Sequence, residues 1–174
     1  MKVVVLTGPE STGKSWLAAG IQQRFGGVRV DEYVRWFMEQ NPRDTCLADI
    51  PEIAHGQLQW EDKARAQQAP LLILDTHLLS NMLWSQTLFG DCPDWLETEL
   101  LARHYDLQLL LSPEQIDWTD DGQRCQPDLK QRLAFFHATR DWLVQHQQTF
   151  QIIRGDWAER QAQAFAAVES LLAQ

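Results

Sequence analysis

The sequence lacks any apolar run of the length that a membrane span needs, which is about 20 residues. Its first apolar stretch, Val3 to Leu6, is also too short for a secretory signal peptide and leads directly into a glycine-containing loop. These absences predict a cytoplasmic protein without a membrane partner. With 174 residues, of which 44% are hydrophobic, the chain is expected to form a single domain over residues 1–174.

Positive charge and cysteine are both scarce. Four residues are lysine, and the net charge of −9 argues against binding nucleic acid through its phosphates. A small anionic ligand is still compatible with this charge, because a few N–H groups and arginines reverse the field locally. The three cysteines, Cys46, Cys92 and Cys125, lack zinc-ligand spacing and are expected to be free thiols in a reducing compartment. The oligomeric state stays open.

A phosphate-binding loop is the most informative motif that is present. Residues 8–15 have the pattern G-x-x-x-x-G-K-[ST] and follow the apolar run that ends at Leu6. Backbone N–H groups of such a loop, and the start of the helix after it, hold a polyphosphate. Lys14 is expected to reach the β- and γ-phosphates, and the Ser15 hydroxyl to bind Mg²⁺. The predicted nucleotide-binding residues are Gly8, Pro9, Glu10, Ser11, Thr12, Gly13, Lys14, Ser15 and Trp16.

Strand-like and helix-like segments alternate along the chain. This alternation predicts an α/β fold with a five-stranded parallel sheet and helices on both faces, and the phosphate loop makes it the fold of a P-loop NTPase. Strands are predicted at 2–7, 28–30, 71–74, 107–111 and 150–153, and helices at 14–25, 32–40, 50–68, 77–88, 93–104, 128–147 and 156–172. Ligands of such a sheet bind at the carboxyl ends of its strands.

Acidic residues follow two of these strands. Asp75 ends an apolar run, where P-loop proteins have an acid that binds Mg²⁺ directly or through water. The alternative is that Asp75 caps the next helix. Glu32 is a candidate base for an acceptor hydroxyl, and Asp31 is its rival. Tyr33 and Arg35 are expected to flank the acceptor, with a surface position as the alternative for Arg35.

The segment 114–127 is long and polar enough to act as a lid. Arg124 within it is a candidate arginine finger for the transferred phosphoryl group, and Arg132 a candidate helper. The alternative is a solvated loop in which Asp120 and Asp121 pair with Arg124. A flat substrate is able to stack on Trp84 or Trp118, although such residues more often pack in a core.

The chain resembles the nicotinamide riboside kinase family, specifically the kinase domain of NadR-type proteins. The features that carry the resemblance cover nearly the whole chain: the phosphate loop, Glu32-Tyr33-Val34-Arg35, Ile53-Ala54-His55-Gly56-Gln57, Asp75-Thr76, Phe89-Gly90 and Trp118-Thr119-Asp120-Asp121-Gly122-Gln123-Arg124. The Glu-Tyr-x-Arg element and the Trp-x-Asp-Asp-Gly-x-Arg lid are the most specific in combination.

The resemblance implies a P-loop NTPase fold of the nucleoside and nucleotide kinase type with a lid loop. It also implies transfer of the γ-phosphoryl group of ATP to the 5′-hydroxyl of nicotinamide riboside, which gives nicotinamide mononucleotide for NAD biosynthesis. It implies that Lys14, Glu32 and Arg124 are catalytic, that Ser15 and Asp75 bind Mg²⁺, and that Glu32, Tyr33, Arg35 and Asp75 contact the substrate. The alternatives are a kinase for another small nucleoside or metabolite, and an ATPase switch that acts on a protein partner.

The chain departs from the family pattern at two positions. His77 stands where family members often have a second acid, and Asp31 where some have an aromatic residue. NadR proteins also carry an adenylyltransferase domain and often a DNA-binding domain, for which these 174 residues are too few. NAD synthesis itself and transcriptional regulation are therefore not expected of this sequence.

Overall fold

Five parallel strands form the sheet of the computed structural model, which describes residues 1–174. Their spatial order is β2-β3-β1-β4-β5, so the strand before the phosphate loop is central. The strands are β1 (Lys2–Thr7), β2 (Val28–Val30), β3 (Leu71–Asp75), β4 (Leu107–Leu111) and β5 (Phe150–Ile153). The predicted strand positions and the predicted fold class are confirmed.

Seven α-helices connect and cover these strands. They are α1 (Lys14–Phe25), α2 (Tyr33–Gln40), α3 (Ile50–Arg65), α4 (Leu78–Phe89), α5 (Trp95–Leu101), α6 (Leu129–Gln145) and α7 (Trp157–Leu172). A 3₁₀ turn at Leu47–Asp49, which the sequence reasoning did not predict, precedes α3. None of the helices combines the length and the hydropathy of a membrane-spanning helix.

Both faces of the sheet are buried by helices, and the side chains of each strand alternate between the two faces. Val3 and Val5 of β1 belong to a cluster of 20 buried residues that includes residues of α3, α4, α5 and α6. Val4 and Leu6 belong to a second cluster of 14 buried residues, completed by α1 and α7. A central strand buried on both faces holds the phosphate loop at a fixed position.

The predicted helix ends needed two corrections. The helix α3 ends at Arg65 rather than at residue 68, because Gln68 has a left-handed φ of 52° and Pro70 disfavours helix in the residue before it. The helix α5 covers 95–101 rather than 93–104. Residues 112–128, here called the lid loop, contain no helix or strand, which agrees with the expected loop.

Candidate active site

The phosphate loop connects β1 to α1 through left-handed backbone conformations. Gly8, Ser11 and Gly13 have φ values of 125°, 58° and 88°. No side chain caps α1 at Gly13, so the N–H groups of its first turn are left for an anion. The loop and the first turn of α1 therefore present N–H groups that no side chain of the cap occupies.

The Lys14 side chain folds over the phosphate loop toward its first residues. Its ammonium donates hydrogen bonds to the carbonyl oxygens of Gly8 at 3.1 Å and Pro9 at 2.7 Å. The Thr12 hydroxyl donates to the same Pro9 carbonyl at 2.9 Å, which closes the turn. Burial lowers the pKa of Lys14, and the nearby carboxylates of Glu32 and Asp75 oppose this effect.

Two cavities adjoin at the carboxyl end of the sheet. The first, of about 380 Å³, is lined by the loop from Ser11 to Trp16 and is here called the phosphate cavity. The second, of about 480 Å³, lies between α2, α3 and α4 and is here called the acceptor cavity. Four residues line both cavities, and their side chains therefore stand at the junction: Lys14, Glu32, Arg35 and Arg124.

Two tryptophans form the outer wall of the phosphate cavity. Trp16 and Trp157 meet edge to face with ring centroids 5.1 Å apart, and they are 43% and 47% exposed. Trp16 belongs to the predicted set of nucleotide-binding residues, whereas Trp157, at the start of α7, was missed. Its only sequence signal is its place just after the fifth strand, at the edge where ligands bind.

Glu32 faces the cleft and Asp31 faces solvent. The Glu32 side chain is 15% exposed, and its Oε2 accepts a hydrogen bond from Nε of Arg35 at 3.1 Å. The Asp31 side chain is 63% exposed and lies 2.9 Å from Nε of Arg29. Of the two rival acids, only Glu32 is therefore positioned to meet a ligand in the cavities.

Asp75 is buried under the phosphate loop, where Cα of Leu6 is its partner in the β1–β3 register. It lines neither cavity directly. Burial, and then the charge of Glu32, raise the pKa of Asp75 to about 6, while the nearby Ser15 hydroxyl and Lys14 oppose the shift. Its Oδ1 has no hydrogen-bond partner.

This donor set fits Mg²⁺. A buried carboxylate oxygen without a partner, next to a serine hydroxyl, offers the hard oxygen ligands that Mg²⁺ prefers. No group of three or more His, Cys, Asp or Glu side chains is placed to hold a metal ion by itself.

The lid loop is tied to both cavities by charged groups. Oδ2 of Asp121 lies 2.8 Å from Nη1 of Arg35 and 3.1 Å from Nε of Arg124. Nη1 of Arg124 also donates to the Ser11 hydroxyl oxygen at 3.1 Å and to the carbonyl oxygen of Thr119. Arg124 is thus placed against the phosphate loop. It also forms the ion pair with Asp121 that was expected if the segment were only a solvated loop. Arg132 is buried and lines neither cavity.

The acceptor cavity has an aromatic and apolar wall with two polar groups in it. Ser80 and Asn81, from the first turn of α4, are 3% and 8% exposed, and the Ser80 hydroxyl and the Asn81 Oδ1 have no hydrogen-bond partner. Trp84, one turn further, packs on Phe135 with ring centroids 4.8 Å apart. Buried polar groups without partners are costly, and a ligand that pairs with them removes that cost.

A family model described as an AAA domain matches residues 3–160. The chain belongs to this AAA-domain family. A search of curated proteins found no significant match.

The fold of this AAA domain is also found in solved kinases. The structures titled NadR protein in complex with NAD and AMP-PNP, and in complex with NR, both superimpose with a TM-score of 0.79 at 18% and 22% identity. They match 99% of this chain, which spans 50% and 52% of the respective NadR chains. The predicted resemblance to NadR proteins is therefore confirmed at the level of the fold.

Two smaller enzymes match over nearly their whole length. A deoxyadenosine kinase from M. mycoides with bound dATP has a TM-score of 0.63 at 13% identity, covering 97% of this chain and 100% of its own. Thymidylate kinase from Ehrlichia chaffeensis has a TM-score of 0.65 at 13% identity, covering 98% of both chains. The AAA domain thus has the fold of nucleoside and nucleotide kinases.

Tyr33 and His77 lie outside the cavities of this AAA domain. The Tyr33 ring covers Gly56 of α3 and packs against Trp36 and Trp60, so the structure places it in a packing position, and its expected contact with the acceptor stays a prediction. His77 is fully buried edge to face with Tyr105, at 4.8 Å between ring centroids. Burial lowers the pKa of His77 to about 3, so this residue is a neutral part of the core.

The candidate stacking residue Trp118 also lines neither cavity. Its indole Nε1 donates to Oε1 of Glu10 at 2.8 Å. The Glu10 side chain of the phosphate loop is therefore directed at the lid loop.

One buried arginine of α7 was missed altogether. The Arg160 side chain donates to the carbonyl oxygens of Gly155 at 2.7 Å, Glu114 at 2.7 Å and Thr12 at 3.4 Å. It is fully buried, and it joins the phosphate loop to the start of the lid loop. An arginine in an amphipathic helix gives no sequence signal for such a role.

Proposed function

We propose that this chain is a kinase that transfers the γ-phosphoryl group of ATP to the 5′-hydroxyl of nicotinamide riboside and forms nicotinamide mononucleotide. One observation carries the proposal: Lys14, Glu32, Arg35 and Arg124 stand at the junction of a phosphate-binding cavity and a second cavity. A donor and an acceptor bound in adjoining cavities meet at their junction, and phosphoryl transfer needs little more than this placement and stabilisation of charge.

The phosphate cavity would hold the triphosphate of ATP. N–H groups of the loop and of the first turn of α1 bind its oxygens, and Lys14 leaves the carbonyls of Gly8 and Pro9 to reach the β- and γ-phosphates. Ser15 and Asp75 would hold Mg²⁺, which would neutralise negative charge on the triphosphate.

Glu32 would act on the acceptor. Its carboxylate accepts the proton of the 5′-hydroxyl as the oxygen forms a bond to the γ-phosphorus, and the bond from that phosphorus to the β–γ bridging oxygen breaks, so that ADP leaves with the electron pair. Arg35 holds the carboxylate through its Nε and keeps it at the junction.

Arg124 would stabilise the charge on the transferred group. Its guanidinium lies against Ser11 in the phosphate loop and lines both cavities. With both substrates bound, a lid loop seated in this way would also keep water from the phosphorus.

The acceptor cavity supports a nucleoside as the substrate. A volume of about 480 Å³ lies within the range of small-ligand sites, and Trp84 and Phe89 offer flat apolar faces for a base. The polar groups of Ser80 and Asn81 are available for its polar edge. Nicotinamide riboside is chosen because the Glu-Tyr-x-Arg and lid motifs resemble NadR and because a matching NadR structure is titled as a complex with NR.

A nucleoside panel tests the proposal. Nicotinamide riboside, deoxyadenosine, thymidine and other nucleosides are incubated with ATP, Mg²⁺ and the protein, and the products are identified by mass spectrometry. Nicotinamide mononucleotide is the expected product. If another nucleoside were phosphorylated and nicotinamide riboside were not, that nucleoside would be the substrate. ATP hydrolysis that no nucleoside accelerates would favour an ATPase switch.

Two variants test the residue roles. Lys14→Ala should abolish transfer while the thermal unfolding curve stays close to that of the wild type. Glu32→Gln should lower kcat far more than it weakens ATP binding, because the base acts only in the transfer step. Equal losses of both would assign Glu32 a structural role.

A further inference from the structure

The carboxylate of Glu10 receives three hydrogen bonds from the lid loop. Oε1 accepts from the indole Nε1 of Trp118 at 2.8 Å and from the backbone N–H of Gln126 at 2.7 Å. Oε2 accepts from the backbone N–H of Cys125 at 3.1 Å. One side chain of the phosphate loop therefore binds both ends of the segment 118–126.

These contacts suit a carboxylate in particular. An ionised carboxylate only accepts hydrogen bonds, and bonds to a charged acceptor are about twice as strong as neutral ones. Both oxygens of Glu10 are used, and all three donors come from the lid loop. The side chain thus closes the segment 118–126 into a ring over the phosphate loop.

The ring contains Arg124. Its Nη1 donates to the Ser11 hydroxyl oxygen, which also accepts from the backbone N–H of Thr119 at 2.9 Å. Arg124 therefore contacts Ser11, while Glu10, the residue before Ser11, holds the two ends of the segment that carries Arg124. A small shift of that loop moves the guanidinium relative to the phosphate cavity.

We propose that Glu10 is a positioning residue, which holds the segment 118–126 on the phosphate loop and thereby sets the place of Arg124 during phosphoryl transfer. The inference rests on the proposed function for its kinetic part. The sequence motif counts Glu10 among the nucleotide-binding residues, whereas its side chain accepts hydrogen bonds from the lid loop.

Glu10→Gln is the sharpest variant. Its amide keeps one oxygen for Trp118 and Gln126, but the NH₂ group faces the N–H of Cys125, so that two donors meet. Glu39→Gln is the matched control, because Glu39 is exposed on α2.

The first test is hydrogen exchange, which needs no acceptor. In Glu10→Gln, amides of the segment 118–126 should exchange about tenfold faster or more, since local opening sets their rate. Amides of α1 should keep their protection, which also shows that the variant is folded. Unchanged exchange in 118–126, at the rate of the wild type and of Glu39→Gln, would overturn the proposal.

The second test is kinetic. Glu10→Gln should lower kcat about tenfold to a hundredfold, the scale of a misplaced catalytic group, with a small change in the KM for ATP. In an Arg124→Ala background the same change should have little further effect, because both variants remove one function. Additive losses, or a change in KM alone, would overturn the proposal. A wild type that phosphorylates no nucleoside would defeat the proposed function, and exchange alone would then decide whether Glu10 holds the loop.

Discussion

The Arg35 guanidinium lies 2.8 Å from the Asp121 carboxylate. This ion pair joins α2, beside the acceptor cavity, to the lid loop. The same carboxylate also pairs with Arg124. Burial lowers the pKa of Arg35, but its contacts with Asp121 and Glu32 outweigh burial, so that its pKa is raised overall. Acceptor side and lid are thus connected through one shared acid.

Asp121→Asn should lower kcat about tenfold and leave the KM for ATP nearly unchanged. The amide no longer attracts both guanidinium groups, so the lid loses its link to α2 while the phosphate loop is intact. Steady-state kinetics with the accepted nucleoside measures this. Asp120→Asn is the control, because the structure gives Asp120 only a hydrogen bond from the N–H of Gly122. Equal kinetics of the two variants would argue against the link.

Gly13→Ala should weaken nucleotide binding and lower the melting temperature. Gly13 has a φ of 88°, which costs an alanine about 1–2 kcal/mol, and its Cβ would also collide with the ring of Trp157. Gly20→Ala is the matched control, because a Cβ there meets Gln161 and Phe165 at ordinary distances of 3.6 Å and alanine favours the helix. Thermal unfolding and nucleotide titration of both variants measure the difference.

Tyr33→Phe should retain wild-type kinetics. The ring packs over Gly56, outside both cavities, and the substitution preserves that packing. A large rise in the KM for the acceptor would return Tyr33 to the substrate site. Gly56→Val should lower the melting temperature instead, because its side chain would occupy the space of the Tyr33 ring.

Ser80→Ala and Asn81→Leu should raise the KM for the nucleoside about tenfold each, which is the scale of one lost hydrogen bond, and leave the KM for ATP unchanged. Ser80→Ala should also leave the melting temperature unchanged or raise it, because it removes a buried hydroxyl that has no partner in the protein. A gain in stability with a loss of acceptor affinity is the diagnostic combination. Loss of stability with unchanged KM would contradict it.

Acid should weaken the segment before α3 through Asp49. Hydrogen bonds from Arg43 at 2.7 and 2.8 Å, and from the N–H of Cys46 at 2.8 Å, hold the pKa of Asp49 well below its ordinary value of 3.8. The folded state therefore binds this proton less readily than the unfolded state does. The contribution of Asp49 to the free energy of unfolding is complete above pH 3.8 and is lost as the pH falls below it.

Asp49→Asn should accordingly melt at a lower temperature than the wild type at pH 7, and the difference should shrink as the pH falls below about 4. Calorimetric scans between pH 7 and pH 3 check this. A constant difference across that range would show that Asp49 acts through packing rather than charge.

The sheet and the phosphate loop were predictable because their signals are local. The run 71–74 is continuously apolar and 107–111 is interrupted only by Gln108, which is typical of strands buried on both faces. The loop motif fixes its own turn through Gly8 and Gly13. The 3₁₀ turn at Leu47–Asp49 was missed, because it depends on how Asp49 is bound rather than on a repeating pattern.

The site was predictable only in part, because side-chain direction depends on contacts that are distant in sequence. Glu32 and Asp31 are neighbours, and it took the pairing with Arg35 and Arg29 to distinguish them. Tyr33 turned toward Gly56, 23 positions further along the chain, where the absence of a side chain makes room for its ring. Trp157 lines the phosphate cavity from the start of α7, and no sequence motif connects that helix with the phosphate loop.

The contacts of Arg160 imply an order of assembly. The carbonyl of Thr12 is bound by the Arg160 guanidinium, which the ribosome adds 148 residues later. The same guanidinium binds the carbonyl of Glu114, 46 residues before it. A nascent chain that has already made its phosphate loop thus still lacks one of the groups that hold the loop in shape. Nucleotide should accordingly assist folding late, when α7 has docked, and should do little for shorter nascent chains.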